Sequence, residues 1–161
     1  MLQAKMLNGR LVVAAELTRA EMAQLRRNRT KFFCPECHHE VIVKAGTQVT
    51  PHFAHRSLSQ CSLGGGEGEY HQRGKLLLYR WLKSQGLQVT LEQHIREIDQ
   101  RPDLYLRIND KQIAIEYQCA KISTKEIHQR NAGYRRASIT PIWIIGAKRL
   151  NRRSSSHFKF D

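Results

Sequence analysis

The sequence predicts a mixed α/β protein, in which a small metal-held N-terminal module precedes a core with the element order α-β-β-β-α-β. Three observations predict it. Three cysteines and four histidines crowd into residues 34–61. Beyond them, alternating apolar patterns separated by turn signals mark strands. Two segments with helix start and stop signals bracket those strands. The 161 residues suit one compact domain with a small appendage and exclude a large multidomain machine. Hydrophobic residues make up 40% of the chain, a globular and not a disordered composition.

The elements follow in order. Leu2, Ala4 and Met6 alternate, Asn8-Gly9 is a turn signal, and Leu11 and Val13 alternate again, which predicts a hairpin. Thr18-Arg-Ala-Glu21 is a capping box that opens a helix to about Arg27. The cysteine-rich stretch completes an N-terminal part over residues 1–62, and a glycine-rich linker at 63–66 marks the boundary. The core then spans 67–146. Residues 67–85 read as a helix ended by Gly86. Residues 87–95 and 101–108 alternate as strands, the second begun by Pro102, where a strand tolerates proline. Asn109-Asp110 is a turn and 111–119 a third strand. Ser123-Thr-Lys-Glu126 opens a second helix to about Arg136, and the wholly apolar 141–146 reads as a buried strand. Residues 147–161 form a basic tail.

The chain carries 27 Lys plus Arg against 14 Asp plus Glu, a formal net charge of +13. Such a balance points to a polyanionic partner, most often nucleic acid. No apolar run reaches the roughly 18 residues of a membrane span, and the N-terminal residues lack the apolar core of a signal peptide, so a cytoplasmic location is expected.

Cys34-Pro-Glu-Cys37 is a C-x-x-C knuckle, His52 and His55 follow, and Cys61 lies five residues beyond His55. Zinc takes four N or S ligands in a tetrahedron, and a knuckle supplies two of them. A redox C-x-x-C usually opens a helix, whereas here a strand follows, which favours metal over a redox pair or a disulfide. The expected ligands are Cys34, Cys37, His55 and Cys61, with His52 competing for the histidine place. Two histidines three apart on a strand face opposite sides, so one of them ligates. Four protein ligands leave no open position, which makes Zn2+ here structural.

The core concentrates carboxylates. If Asn109-Asp110 is a two-residue turn, Ile108 pairs with Lys111 and Asp103 falls opposite Glu116; a looser turn shifts the register by one and undoes this. Two facing carboxylates repel, and a hard divalent cation such as Mg2+ or Mn2+ would hold both. On the first core helix Glu67, His71, Lys75, Leu78 and Leu82 recur along one face. That face buries its apolar end and aims an acid, a histidine and a lysine at the same sheet. Glu69 is the alternative acid if the helix begins after Glu67.

An acid on a first helix, then Arg101-Pro-Asp103, then Ile115-Glu-Tyr-Gln118 on a hairpin, in this element order, resembles the P-D-(D/E)-x-K nuclease superfamily with its restriction-endonuclease-like core. Joined to the upstream CPEC…PHFAH…C segment, a zinc-ribbon-like module, the chain is similar to the CoiA competence protein family over roughly residues 1–146. Arg130 with Tyr134 and Ile142-Trp-Ile match as well. Two departures accompany the resemblance: relatives continue into a further C-terminal region, and the signature lysine position holds Gln118. The resemblance implies a metal-dependent deoxyribonuclease acting on incoming DNA in natural transformation, beside recombination or DNA-uptake proteins.

On that reading Asp103, Glu116 and Glu67 (or Glu69) are the Mg2+ or Mn2+ ligands. Gln118 carries no charge, so Lys75 supplies the positive charge and His71 a proton-shuttling or supporting group. Arg101, Lys121, Arg130, Arg152 and Arg153 are the candidate DNA contacts, directed at phosphates and not bases. The alternative is a catalytically degenerate DNA-handling protein on the same fold.

Overall fold

The computed structural model describes residues 1–45, 50–56, 61 and 68–146. Glu67, the 63–66 linker and the basic tail with Arg152 and Arg153 lie outside the described residues. Two sheets and three α-helices make up the rest.

The first sheet holds β1 (Gln3–Met6), β2 (Leu11–Val13), β3 (Phe32–Phe33), β4 (Glu40–Lys44) and β5 (His52–His55) in the order β2-β1-β3-β4-β5, every neighbour antiparallel. Gly9, at φ +80°, closes the first hairpin in a conformation that costs glycine little. Helix α1 (Arg19–Arg27) carries both halves of the capping box: the Thr18 side chain accepts from the Glu21 N–H, and the Glu21 carboxylate accepts from the Thr18 N–H. Ala4, Phe32, Cys34, Val41 and Phe53 form this sheet's apolar core.

The second sheet holds β6 (Val89–Leu91), β7 (Leu104–Ile108), β8 (Lys111–Gln118) and β9 (Ile139–Ile145) in that order, with β8 and β9 parallel and the other pairs antiparallel. Helices α2 (Glu69–Ser84) and α3 (Thr124–Arg136) complete the α-β-β-β-α-β order. The alternation of β8 assigns the helices to opposite faces. Ile113 and Ile115 pack with Leu76, Tyr79 and Leu82 of α2, while Ala114 packs with Tyr134 of α3. Leu2 of the N-terminal part sits fully buried in the α2 cluster, and the Gln3 side chain donates to the Leu91 carbonyl. The two sheets therefore share core residues.

Three elements differ from the sequence reading. The strand expected over 87–95 stops at Leu91, because Glu92 takes a left-handed conformation (φ +48°). The second strand starts only at Leu104, leaving Arg101-Pro-Asp103 as an irregular entry. Among the described residues, the apolar segment expected as a buried strand is an edge strand: β9 pairs with β8 alone, and Ile142 and Ile145 are 41% and 46% exposed. An uninterrupted apolar run reports on side-chain type, not on whether both strand edges are covered. The hairpin register matches the expectation, with Ile108 against Lys111 and Leu104 against Ile115.

Candidate metal centre and acidic site

The knuckle sits between β3 and β4. The Cys34 N–H donates to the His39 carbonyl at 2.9 Å, and the His38 N–H to the Cys34 carbonyl at 3.1 Å. His38 is left-handed at φ +58°, which turns the chain tightly enough to bring both cysteines round one point. The Glu36 N–H points at Cys34 Sγ, 3.4 Å away. Strand β5 delivers His55, whose Nε2 lies 3.2 Å from Cys37 Sγ, and Cys61 Sγ lies 3.7 Å from Cys34 Sγ. The four ligand atoms all lie within 4.8 Å of one another. A tetrahedral site with Zn–S bonds of about 2.3 Å has S···S edges of about 3.8 Å. The donor set and its spacing therefore fit a tetrahedral ion. His52 stands apart, its Nδ1 2.8 Å from the Thr50 carbonyl.

The thiols of the knuckle are unequal. Burial pushes Cys34 up to about 12. At Cys37 burial also raises the value, but the His39 N–H and the His39, His55 and Cys61 side chains outweigh it and bring it down to about 6. A low thiol value means a thiolate ready for metal at neutral pH.

The acidic site lies where β7 begins and β8 ends. Asp103 Oδ2 accepts from the Tyr117 N–H at 2.8 Å and lies 3.2 Å from His71 Nε2. Its Oδ1 is 3.3 Å from Lys75 Nζ. Burial raises the Asp103 carboxyl, but His71, the Lys75 charge and the Tyr117 N–H outweigh it and hold it below the ordinary aspartate value. Lys75 is wholly buried on α2, and its Nζ also binds Glu92 Oε1 at 2.7 Å. Glu92 in turn accepts from the Leu2 N–H at 3.3 Å through its other oxygen.

Glu116 faces the other helix. Its Oε1 accepts from Arg130 Nε at 3.1 Å, from Arg130 Nη2 and from the Tyr134 hydroxyl. Burial raises its carboxyl above the ordinary glutamate value against the pull of Arg130 and Tyr134, and the Asp103 charge adds to the rise. The register that sets Asp103 across from Glu116 holds through Leu104, where the ladder ends. Past that point the Asp103 carboxylate turns to α2 while Glu116 stays with α3. Among the described residues these carboxylates do not form a preassembled cluster of three; the Cys/His quartet is the one such group.

The remaining candidates fall as follows. Gln118 donates through its amide to the Ala120 carbonyl at 2.7 Å. Glu69 opens α2 at the surface, with Gly68 as N-cap. Lys121 is exposed between β8 and α3, whereas the Arg101 side chain is 16% exposed and paired with Glu36. Sequence reasoning missed Glu92, and it pointed to the Tyr117 carbonyl as an extra ligand but not to the Tyr117 N–H and ring that meet Asp103 and His71. Strand alternation puts Glu92 on the same side as the exposed Thr90, and only its left-handed backbone turns it toward Lys75. A usable signal was the lysine itself, since a lysine on a buried helix face needs a carboxylate partner. Tyr117 stacks on His71, with ring centroids 5.7 Å apart, and lies against Gly74 of α2.

No helix among the described residues is long and apolar enough to cross a membrane. Residues 67–161 match the family described as Competence protein CoiA, nuclease-like domain, and residues 14–64 match Competence protein CoiA, N-terminal domain. The curated Competence protein CoiA of Bacillus subtilis (strain 168) is 44% identical over 132 residues, covering 81% of this chain. The chain aligns with 35% of that relative's length. By the extent of these matches, the chain belongs to the CoiA competence protein family.

Proposed function

We propose that the chain is a metal-dependent deoxyribonuclease that hydrolyses DNA phosphodiesters during natural transformation, in the cytoplasm and alongside recombination or DNA-uptake proteins. The observation that carries this reading is the placement of two carboxylates, the half-buried Asp103 at the entry to β7 and the buried Glu116 opposite it near the end of β8, each beside its own fixed cation. The match to a nuclease-like domain supports it.

Asp103 and Glu116, with Glu67 or Glu69, offer the hard oxygen donors that Mg2+ or Mn2+ prefers. When bound, such an ion supplies charge neutralisation at the phosphate and activation of the attacking water. The chain's own residues do the rest. The Tyr117 N–H and Lys75 keep Asp103 ionised and fixed. Arg130 and Tyr134 fix the rotamer of Glu116. Lys75 contributes the positive charge that Gln118 lacks, and His71 Nε2, beside Asp103, is the imidazole placed to pass a proton there. The cluster of three thiols and one imidazole would hold Zn2+, which would brace the first sheet. Lys121, Arg152 and Arg153 would meet phosphates, with log K falling by about 0.7–0.9 per phosphate as log salt rises.

The test is cleavage of linear, circular, single- and double-stranded DNA with Mg2+ or Mn2+. Wild type should cut, and Asp103→Asn and Glu116→Gln should each lower the rate at least about a hundredfold while DNA binding persists. A second reading, DNA handling without cleavage, is favoured by Gln118, whose uncharged amide turns back onto its own chain. Binding with no cutting of any DNA would select it.

A further inference from the structure

We propose that Arg101 is a positioning residue linking the Cys/His metal module to the acidic site, so that metal loading of the module sets the placement of Asp103 and Glu116. The reference to an acidic cation site rests on the proposed function; the coupling itself does not.

Arg101 touches both centres at once. Its guanidinium pairs with the carboxylate of Glu36, the residue inside the knuckle whose own N–H points at Cys34 Sγ from 3.4 Å. Its main-chain carbonyl accepts from Arg130 Nη2 at 3.0 Å, and the same guanidinium of Arg130 holds Glu116. Two residues further along, past the fully buried Pro102, comes Asp103. Side chain and backbone of one residue thus join the knuckle to both carboxylates. Proline narrows the conformations of this bridge and of the residue before it, so a shift at Arg101 passes to Asp103 with little slack.

A bridge for stability alone fits the arrangement poorly. The Arg101 side chain is 16% exposed, and its Nη1 is buried with no hydrogen-bond partner among the described residues. An orphaned buried donor is costly, and buried ion pairs are weak stabilisers whose better-attested use is to select one arrangement. Metal loading anchors Arg101 by ordering the knuckle that carries Glu36.

The test uses the full chain with Glu36→Gln and Arg101→Gln, separately and together. Neither substitution touches a thiol or imidazole of the cluster. Three quantities are read: bound zinc by elemental analysis, amide hydrogen exchange by peptide, and Mn2+ binding by electron paramagnetic resonance. Each single variant should keep about one zinc per chain. Each should also speed exchange about tenfold at residues 101–104 and at Tyr117, whose N–H is held by Asp103, while Leu76–Leu82 of α2 stays as in wild type. The double variant should add nothing to either single one, and zinc removal from wild type should accelerate the same peptides. Mn2+ affinity should fall in parallel. Wild-type exchange in both single variants, or additive effects in the double, overturns the coupling. A wild type that binds no Mn2+ refutes the acidic cation site instead, and the exchange data still decide the link.

Discussion

Lys75 Nζ lies 3.3 Å from Asp103 Oδ1, and the Lys75 side chain has no exposed surface. A buried ammonium is tolerable only where carboxylates surround it, and Glu92 and Asp103 meet that need. The contact binds helix α2, the end of β6 and the start of β7 into one charged unit beneath the acidic site.

Removing that ammonium should be severe. Lys75→Met keeps most of the volume but leaves Glu92 and Asp103 uncompensated, and the expected loss is about 3–5 kcal/mol in urea unfolding. Adding Glu92→Gln should recover part of it, since one of the two stranded charges goes. A Lys75→Met variant as stable as wild type would mean that the pair is not buried in solution.

The two carboxylates should respond oppositely to pH. Asp103 titrates below its ordinary value in the folded chain, so its contribution is present above the unfolded value of about 3.9 and is lost as pH falls through the folded value. Glu116 titrates above its ordinary value, so folding favours its protonated form, and stability falls as pH rises from about 4.3 through the folded value. Urea unfolding across a pH series checks both. Asp103→Asn should flatten the acid-side loss, and Glu116→Gln should remove the decline on the other side.

Thiol chemistry separates the two cysteines of the knuckle. In metal-stripped protein that remains folded, Cys37 should alkylate first, with a rate that is half-maximal near pH 6, while Cys34 stays unlabelled well above neutrality. Mass spectrometry of iodoacetamide-treated protein reads the order. Zinc should protect both, and replacing Cys34 and Cys37 with serine should lower the bound metal from about one per chain to none.

Gly74 offers a reversal of the usual helix rule. Alanine normally improves a helix interior by about 1 kcal/mol over glycine. Here a Cβ would come within 2.0 Å of Tyr117 Cε1, a rigid ring stacked on His71. Gly74→Ala should therefore destabilise by about 1–3 kcal/mol in thermal or urea unfolding. In a Tyr117→Ser background, where the ring is gone, the same substitution should become stabilising.

Much of this protein was legible before folding was considered. The C-x-x-C spacing and the rule that one of two histidines three apart faces the cysteines pointed to a Cys/His cluster, and the choice between His52 and His55 fell to the structure, which brings His55 to the cysteines. The hairpin register followed from a two-residue Asn109-Asp110 turn, and the helix starts from Thr18 and Ser123, whose side chains cap them. These are short-range matters, set by residues a few positions apart whose backbone choices are few.

Long-range chemistry was decided by the tertiary structure. Periodicity assigns a side chain to a face but cannot say which helix covers that face, so it did not separate Asp103, held by α2, from Glu116, held by α3. Nor did it bring Glu92 to Lys75, which required one left-handed residue at a strand end, or take Arg101 away from the surface to Glu36. Each of those outcomes depends on charges that are distant in the chain and must find partners once water is excluded. That is a property of the packed molecule and not of any local stretch of it.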